Sequence, residues 1–473
     1  MPPADTKAST GTPVDAGSSS SAVSAASSAA STASSSSADS SAGSSADASA
    51  GSSPSSASSA GLLEPGEPGY RRMSFALFAA GVAAFALLYS TQALLPAISA
   101  DLGVTADQAS WTVSAATGAL ALAVLPLSVL SERFGRRAMM TASLCVAAFV
   151  ALLIPLAPGL GWLIALRAVQ GVALAGLPAS AMAYLAEEVR PKALVGAIGL
   201  FVAGNSIGGM SGRILTGWVA QVWGWRAGLA AVGLLAVASA VAFRLLLPKA
   251  RNFTPSPVSP RALARTVAGH LTDALLCRLY AIGALFMTVF GAVYTVIGYR
   301  LAGEPFGLPQ GVVGSIFLVY LVGTASSAAA GQLVGRLGRR GALYLAVGTT
   351  AAGLLLTLST SLAAVLLGLV LITAGFFAGH AVASSSVSRA AHTGRAQASA
   401  LYQSAYYIGS SVGGALGALA FRAAGWEGTV VLGLFAMAAA AGITLYATRK
   451  ALVERRLVAA SPVRAARPVV VRH

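Results

Sequence analysis

Between Ser74 and Thr448 the chain is a succession of long apolar stretches almost free of charge. A hydrocarbon core takes about 20 apolar residues per helix and offers no water to unpaired backbone groups. Such a pattern therefore predicts a bundle of membrane-spanning helices. Composition agrees, with 56% hydrophobic and 10% charged residues, where a soluble domain carries roughly 25% charged residues. This excludes a water-soluble enzyme, a secreted disulfide scaffold and a mostly disordered chain. The formal net charge of +16 does not signal nucleic acid. The basic residues stand in short clusters between apolar spans, as membrane topology requires. Cys145 and Cys277 lie far apart in or beside apolar spans, so no disulfide is expected.

Residues 1–70 form a Ser/Ala-rich stretch with too few large apolar side chains to offset the entropy of ordering. A disordered cytoplasmic tail is predicted there, without the apolar core of a secretory signal.

Twelve spans are predicted: 74–97, 108–130, 138–157, 161–184, 193–218, 226–247, 274–299, 309–333, 341–359, 361–388, 396–421 and 428–448. They divide into an N-terminal six-helix bundle (71–247), a Pro-containing cytoplasmic linker (248–272), a C-terminal bundle (273–448) and a basic tail (449–473). Alternating the connectors between two sides puts 23 Lys and Arg residues on one side and three on the other. Positive loops stay in the cytoplasm, so both termini are predicted cytoplasmic.

The halves repeat each other. Leu130-Ser-Glu-Arg-Phe-Gly-Arg-Arg137 answers Leu333-Val-Gly-Arg-Leu-Gly-Arg-Arg340 at an offset of 203. Gly204-Asn-Ser-Ile-Gly-Gly209 answers Gly409-Ser-Ser-Val-Gly-Gly414 at 205, and Gly224-Trp225 answers Gly425-Trp426 at 201. Tyr89 answers Tyr294 at 205. A duplicated unit of six spans keeps its orientation, which implies a pseudo-two-fold axis along the membrane normal and a cavity between the copies.

On these residues the sequence resembles the major facilitator superfamily, within it the twelve-helix efflux branch typified by drug/proton antiporters. The loop after span 2 is similar to the signature G-x-L-x-D-R-x-G-R-R through Leu130, Glu132, Arg133, Gly135, Arg136 and Arg137, with Ser128 in place of Gly and Glu in place of Asp. Arg167, Gln170 and Gly171 match R-x-x-Q-G. Gly204-Asn205-x-x-Gly208-Gly209 resembles the antiporter signature G-P-x-x-G-G, with Asn for Pro. The resemblance implies an all-α fold of two six-helix bundles, alternating access, and a role for Arg167 in proton coupling.

Physically, the 128–137 loop is a turn whose Gly135 allows a backbone angle other residues resist. Glu132 can pair with the arginines, and the arginines with helix carbonyl ends, in contacts that break when this side opens. The counterpart is Gly331, Arg336, Gly338, Arg339 and Arg340, with Gly335 in place of the acid. Arg167 sits inside an uncharged span, a costly placement unless it meets a wet cavity or a partner. Gln170 shares its face, and Leu371 occupies the matching position of the second half. A functional cation is expected there, against the alternative of a packing arginine. Arg213 either lies beside Asn205 on the cavity face or snorkels to the headgroups.

Gly204, Gly208 and Gly209, with Gly409, Gly413 and Gly414, are expected to pack helices closely. Tyr89, Gln92, Tyr294, Gln403, Tyr407 and His380 complete the candidate substrate or proton pathway. None of the 15 acidic residues lies in the middle of a span. A cavity without negative charge favours neutral or anionic small molecules.

No Walker loop, nucleophile elbow, metal-ligand spacing or paired catalytic carboxylates occur, so no enzyme, cofactor or metal site is predicted. The expectation is a monomeric secondary transporter of the bacterial inner membrane. It would export small organic molecules against protons; import of a sugar or organic anion, and a non-transporting receptor or scaffold, are the alternatives.

Overall fold

A computed structural model describes residues 61–253 and 260–460. The helices are α1 (Pro68–Leu88), α2 (Leu95–Leu102), α3 (Ala106–Phe134), α4 (Arg136–Leu153), α5 (Leu160–Glu188), α6 (Pro191–Leu246), α7 (Pro260–Thr272), α8 (Ala274–Ala302), α9 (Gln310–Ser315), α10 (Tyr320–Leu356), α11 (Leu362–Ala390) and α12 (Arg395–Ala460). Among the described residues, extended backbone pairs at one bridge, Leu63 with Val189.

Among the described residues, nine helical segments are long and apolar enough to cross a membrane. One is the 56-residue α6, which as a straight rod would run ~84 Å against a hydrocarbon core of ~30 Å. It is not straight. Non-helical backbone interrupts α6 at Gly224, α10 at Gly338 and α12 at Ala424 and Gly425. Counting each broken segment as two crossings gives twelve, the number expected. Gly135, Gly224, Gly338 and Gly425 all have positive φ, at 94°, 80°, 71° and 62°. These are the glycines that answer each other in the sequence repeat, and each makes a sharp reversal that a Cβ would strain.

The glycine ladders repeat too. Side chains added at Gly204, Gly208 and Gly212 would collide with Phe78, Val82 and Ala86 of α1. Side chains at Gly409, Gly413 and Gly417 would collide with Ala284, Thr288 and Ala292 of α8. Both copies thus use the same backbone-on-backbone contact. Gly209 and Gly414 differ. The nearest side-chain atoms to a Cβ there are those of Arg213 and Phe85, and of Ser114 and Thr295, so they leave room for polar groups.

Two expectations need correction. Span 1 does not run unbroken over 74–97: α1 begins at Pro68 and stops at Leu88, and a short turn at 92–94 precedes α2. The predicted disordered tail reached residue 70, but Leu63 pairs with the α5 end through Leu63 N to Glu188 O at 2.8 Å. Residues 1–60 of that tail lie outside the described residues. Segment 260–272 is helical, with Leu263, Val267 and Leu271 at four-residue spacing. Residues 254–259 of the linker and 461–473 of the basic tail lie outside the described residues.

Candidate functional site

Call the end that carries Arg133–Arg137, Arg336–Arg340 and Arg389 the basic end, and the opposite one the far end. Arg167 lies on the first third of α5 and is completely buried. It does not face an open chamber, as the sequence reading expected. It caps α1, which stops at Leu88 and leaves carbonyls without helical partners. Arg167 donates through Nη1 to Leu87 O at 2.7 Å and through Nε to Thr112 O at 2.9 Å. Its remaining contacts are Leu88 O, Ser90 Oγ and Gln170 Oε1. Gln170 in turn donates to Ala147 O at 3.2 Å. Arg167 and Gln170 together therefore join α1, α3, α4 and α5 through oxygens that hydrocarbon would leave unsatisfied.

Arg213 does not snorkel. It is 2% exposed and donates through Nε and Nη2 to Gln92 Oε1 at 2.8 and 2.6 Å, and to Gly209 O. Three rings surround its charge, Tyr89 and Phe317 at 4.5 Å and Tyr320 at 5.1 Å. Tyr89 belongs to the first copy; Phe317 and Tyr320 belong to the second. Gln92 also crosses, donating to Thr295 Oγ1 of α8 at 3.4 Å. Arg213 is thus the cation at the seam between the copies, desolvated and offset by ring faces and amide oxygen.

From this point an aromatic chain continues through the second copy. Tyr320 contacts Tyr294 and Phe290, and Phe290 stacks on Phe376 at 3.9 Å. Phe376 stacks on His380, which faces Tyr406 at 4.8 Å and accepts from or donates to Tyr402 Oη through Nδ1 at 2.9 Å. Tyr294 Oη meets Thr373 Oγ1 at 2.5 Å. The Tyr320 hydroxyl is buried without a hydrogen-bond partner among the described residues. Tyr407 is buried against Tyr406, whereas Gln403 stands exposed, one turn from Tyr407 toward the helix start. Asn205 lies against Gly81 of α1, and its Oδ1 is buried without a hydrogen-bond partner among the described residues.

At the far end the copies are tied together. Ser99 and Tyr299 hydroxyls lie 2.6 Å apart, and Tyr299 Oη donates to Leu95 O at 3.0 Å. Trp218 Nε1 donates to Ser315 Oγ at 2.9 Å, Gly311 N to Gln221 Oε1 at 2.9 Å, and Gln310 Nε2 to Ala93 O. Arg422 pairs with Asp107 at 3.1 Å. Deeper in, Ser411 Oγ donates to Ser114 O at 2.8 Å.

At the basic end, recorded polar contacts of the described residues stay within one copy. Arg136 pairs with Glu187 at 3.0 Å and donates to Ser131 Oγ at 2.7 Å. Glu132, the expected partner, is not the acid that Arg136 finds. Arg133 lies over Phe134, and Ser128 Oγ donates to Leu125 O. Arg137 gives its carbonyl to Thr141. Glu188 accepts from Arg251 N and Asn252 N, fixing the start of the linker on the first copy. In the second copy Arg340 donates to Ala447 O at 3.2 Å, while Gly331 and Arg336 are exposed.

Residues 74–414 match the Major Facilitator Superfamily. The chain belongs to that superfamily. It is 38% identical over 387 residues to the uncharacterized MFS-type transporter YybF of Bacillus subtilis (strain 168), covering 82% of this chain and 96% of that one. It is also 38% identical over 366 residues to the inner membrane transport protein YnfM of Escherichia coli (strain K12), covering 77% and 88%. Among solved structures it superposes on a bacterial homolog to the human lysosomal transporter Spinster, in an inward-facing and occupied conformation. The TM-score is 0.68 at 16% identity, covering 81% and 97% of the two chains. That likeness concerns the fold. Together these findings make the chain a membrane transporter and not an enzyme.

Within this superfamily fold, sequence reasoning had found Arg213, Gln92, Tyr89 and Tyr294, which the structure brings together. It missed Phe290, Phe317, Phe376, Tyr402, Tyr406 and Glu187. A signal existed for the rings: Phe286, Phe290 and Tyr294 recur every four residues on α8, and Tyr402 and Tyr406 do so on α12.

Proposed function

We propose that the protein is a secondary active exporter of small organic molecules, driven by proton exchange, in the bacterial inner membrane with both termini in the cytoplasm. The observation that carries this reading is the asymmetry of the seam. Polar ties between the copies gather toward the far end, and toward the basic end the polar contacts of the described residues stay within one copy. Two rigid units joined at one end and parted at the other are what alternating access requires. With the basic end as the cytoplasmic side, the conformation is inward-facing.

Arg213 and its rings lie just inside the tied end, where a substrate entering from the basic side would stop. The spans hold no acidic centre, which favours neutral or anionic cargo. Arg167 acts here as the anchor of α1 on α3 and α5. Arg213, Tyr320 and His380 are then the polar groups at the pathway. Arg136 and Glu187 stay paired while the basic side is open, contrary to the expectation that contacts of this loop break on that opening, so the pair ties α4 to α5 within the first copy.

Counterflow of labelled compounds into proteoliposomes, with and without a pH gradient, tests the proposal. Exchange that accelerates with an opposing proton gradient is expected. Exchange insensitive to the gradient overturns proton coupling, and no exchange across a broad compound panel overturns the transport reading. Deletion in the host should raise cellular retention of the same compounds.

A further inference from the structure

Cations at the basic end are managed differently in the two copies. In the first, Arg136 pairs with Glu187 and Arg190 with Glu64 at 2.6 Å. In the second, the Arg339 guanidinium lies within the electrostatic reach of Arg340, Arg389 and Arg278. None of these four forms an ion pair among the described residues; their acceptors are neutral, such as Ser385 for Arg389 and Ala274 O for Arg278. Beside them, α7 and the 390–393 turn enclose a cavity of about 380 Å³, lined by Arg265, Thr266, His270, Asp273, His392 and Thr393 among others.

Asp273 Oδ1 accepts from Leu275 N at 2.7 Å and Leu276 N at 3.0 Å as the cap of α8, where the helix N-terminus offsets part of its charge. His270 Nε2 is occupied with Gly394 O at 3.1 Å. Arg265, His392 and Thr393 are exposed, and the exposed Arg389, one residue before the 390–393 turn, donates back to Ser385. A concave site that offers Arg265, His392 and Thr393, close to arginines that form no ion pair, is complementary to a phosphate group.

We infer that this cavity binds the phosphodiester headgroup of an anionic phospholipid. A lipid is favoured over a free phosphate by the helix that forms one wall. On α7, Leu271 is 54% exposed, and Ala264 and Ala268 are exposed next to Arg261 and Arg265. Apolar side chains beside arginines, at the ends of membrane-spanning helices, describe a helix lying in the interface. The headgroup meets the cations and its acyl chains run along that apolar surface. Bound there, the lipid ties α7 to the turn before α12 and sets negative charge beside arginines that form no ion pair among the described residues. The site is independent of what the protein transports.

The test uses the purified full chain in detergent, with phosphatidylglycerol, phosphatidylcholine or inorganic phosphate added. Retained lipid is counted by native mass spectrometry and thermal unfolding is followed. Phosphatidylglycerol is expected to be retained in preference to phosphatidylcholine and to raise the unfolding temperature, whereas phosphate at equal concentration does neither. The variant Arg265→Gln/Arg389→Gln weakens retention by at least about fivefold, and Arg71→Gln/Arg72→Gln, with the same loss of charge in the first copy, leaves it unchanged. Equal retention of the two lipids overturns the site. So does an equal loss in both double variants, which would mean general surface charge. Stabilisation by phosphate alone would make it a soluble-anion site instead. The lipid comparison on the unaltered chain needs no variant, so a misfolded mutant does not spoil the test.

Discussion

The two copies share a scaffold and differ in their furnishing. Glycines 204, 208 and 212 meet α1 as glycines 409, 413 and 417 meet α8, and paired glycines turn the chain in both. Yet the first copy buries two arginines at positions where the second has Leu371 and Ala418, and the second carries most of the aromatic chain. Positions that set backbone approach are held in common, because a single added carbon would part the helices. Positions that hold charge are free to diverge, and their divergence gives the seam a cationic wall on one side and an aromatic wall on the other.

The largest effects should fall on the shared scaffold. Gly208→Val and Gly413→Val force a side chain into the carbonyls of Val82 and Thr288. Each is expected to cost at least ~3 kcal/mol, seen as loss of monodisperse protein and a fall in unfolding temperature. Gly335→Ala, which meets nothing within 4 Å, should be nearly silent. A strong effect in one copy alone would break the symmetry.

Next comes the divergent charge. Arg167→Leu leaves Leu87, Leu88 and Thr112 carbonyls unpaired, and should destabilise the fold by ~3–5 kcal/mol. Leu371→Met, at the matching position, should cost under ~1.5 kcal/mol. Thermal unfolding in detergent compares the two. Arg213→Leu should cost less stability, ~1–3 kcal/mol, yet lower counterflow by more than about tenfold. Arg213→Lys should not rescue it, since an ammonium cannot reproduce the paired bonds to Gln92 Oε1. Wild-type exchange by Arg213→Leu would remove Arg213 from the pathway.

The smallest effect separates the basic-end arginines of the two copies. Arg136→Ala breaks a pair whose side chains are 13% and 26% exposed and should cost ~0.2–1 kcal/mol. Arg339→Ala, which removes a crowded cation from the second copy, should be neutral or slightly stabilising within ~0.5 kcal/mol. Urea or thermal denaturation of both variants orders them.

Span number, duplication and the turn glycines were legible because they follow from local rules: hydropathy, period and φ. The polar seam was legible in part. Gln92 and Arg213 stood out as polar groups in apolar spans, but nothing local told which faced the other copy. Arg167 was misjudged in its surroundings because its partners are carbonyls of Leu87 and Leu88, which any sequence offers. They became available only because α1 stops at Leu88. Glu187 was passed over for Glu132, the nearer acid in sequence but not the one Arg136 meets in space. The helix at 260–272 was hidden by the prolines that precede it.

The account rests on a seam that is tied at one end and parts at the other, and spin-label distances read it most directly. Cys145 and Cys277 are replaced by Ala, and labels are placed at Gly103→Cys with Glu304→Cys at the far end, or at Arg133→Cys with Arg336→Cys at the basic end. In nanodiscs the account predicts a short, narrow far-end distribution and a longer basic-end one. A proton gradient or bound cargo should lengthen the first as it shortens the second. Two distributions that stay fixed, or that lengthen and shorten together, would contradict it.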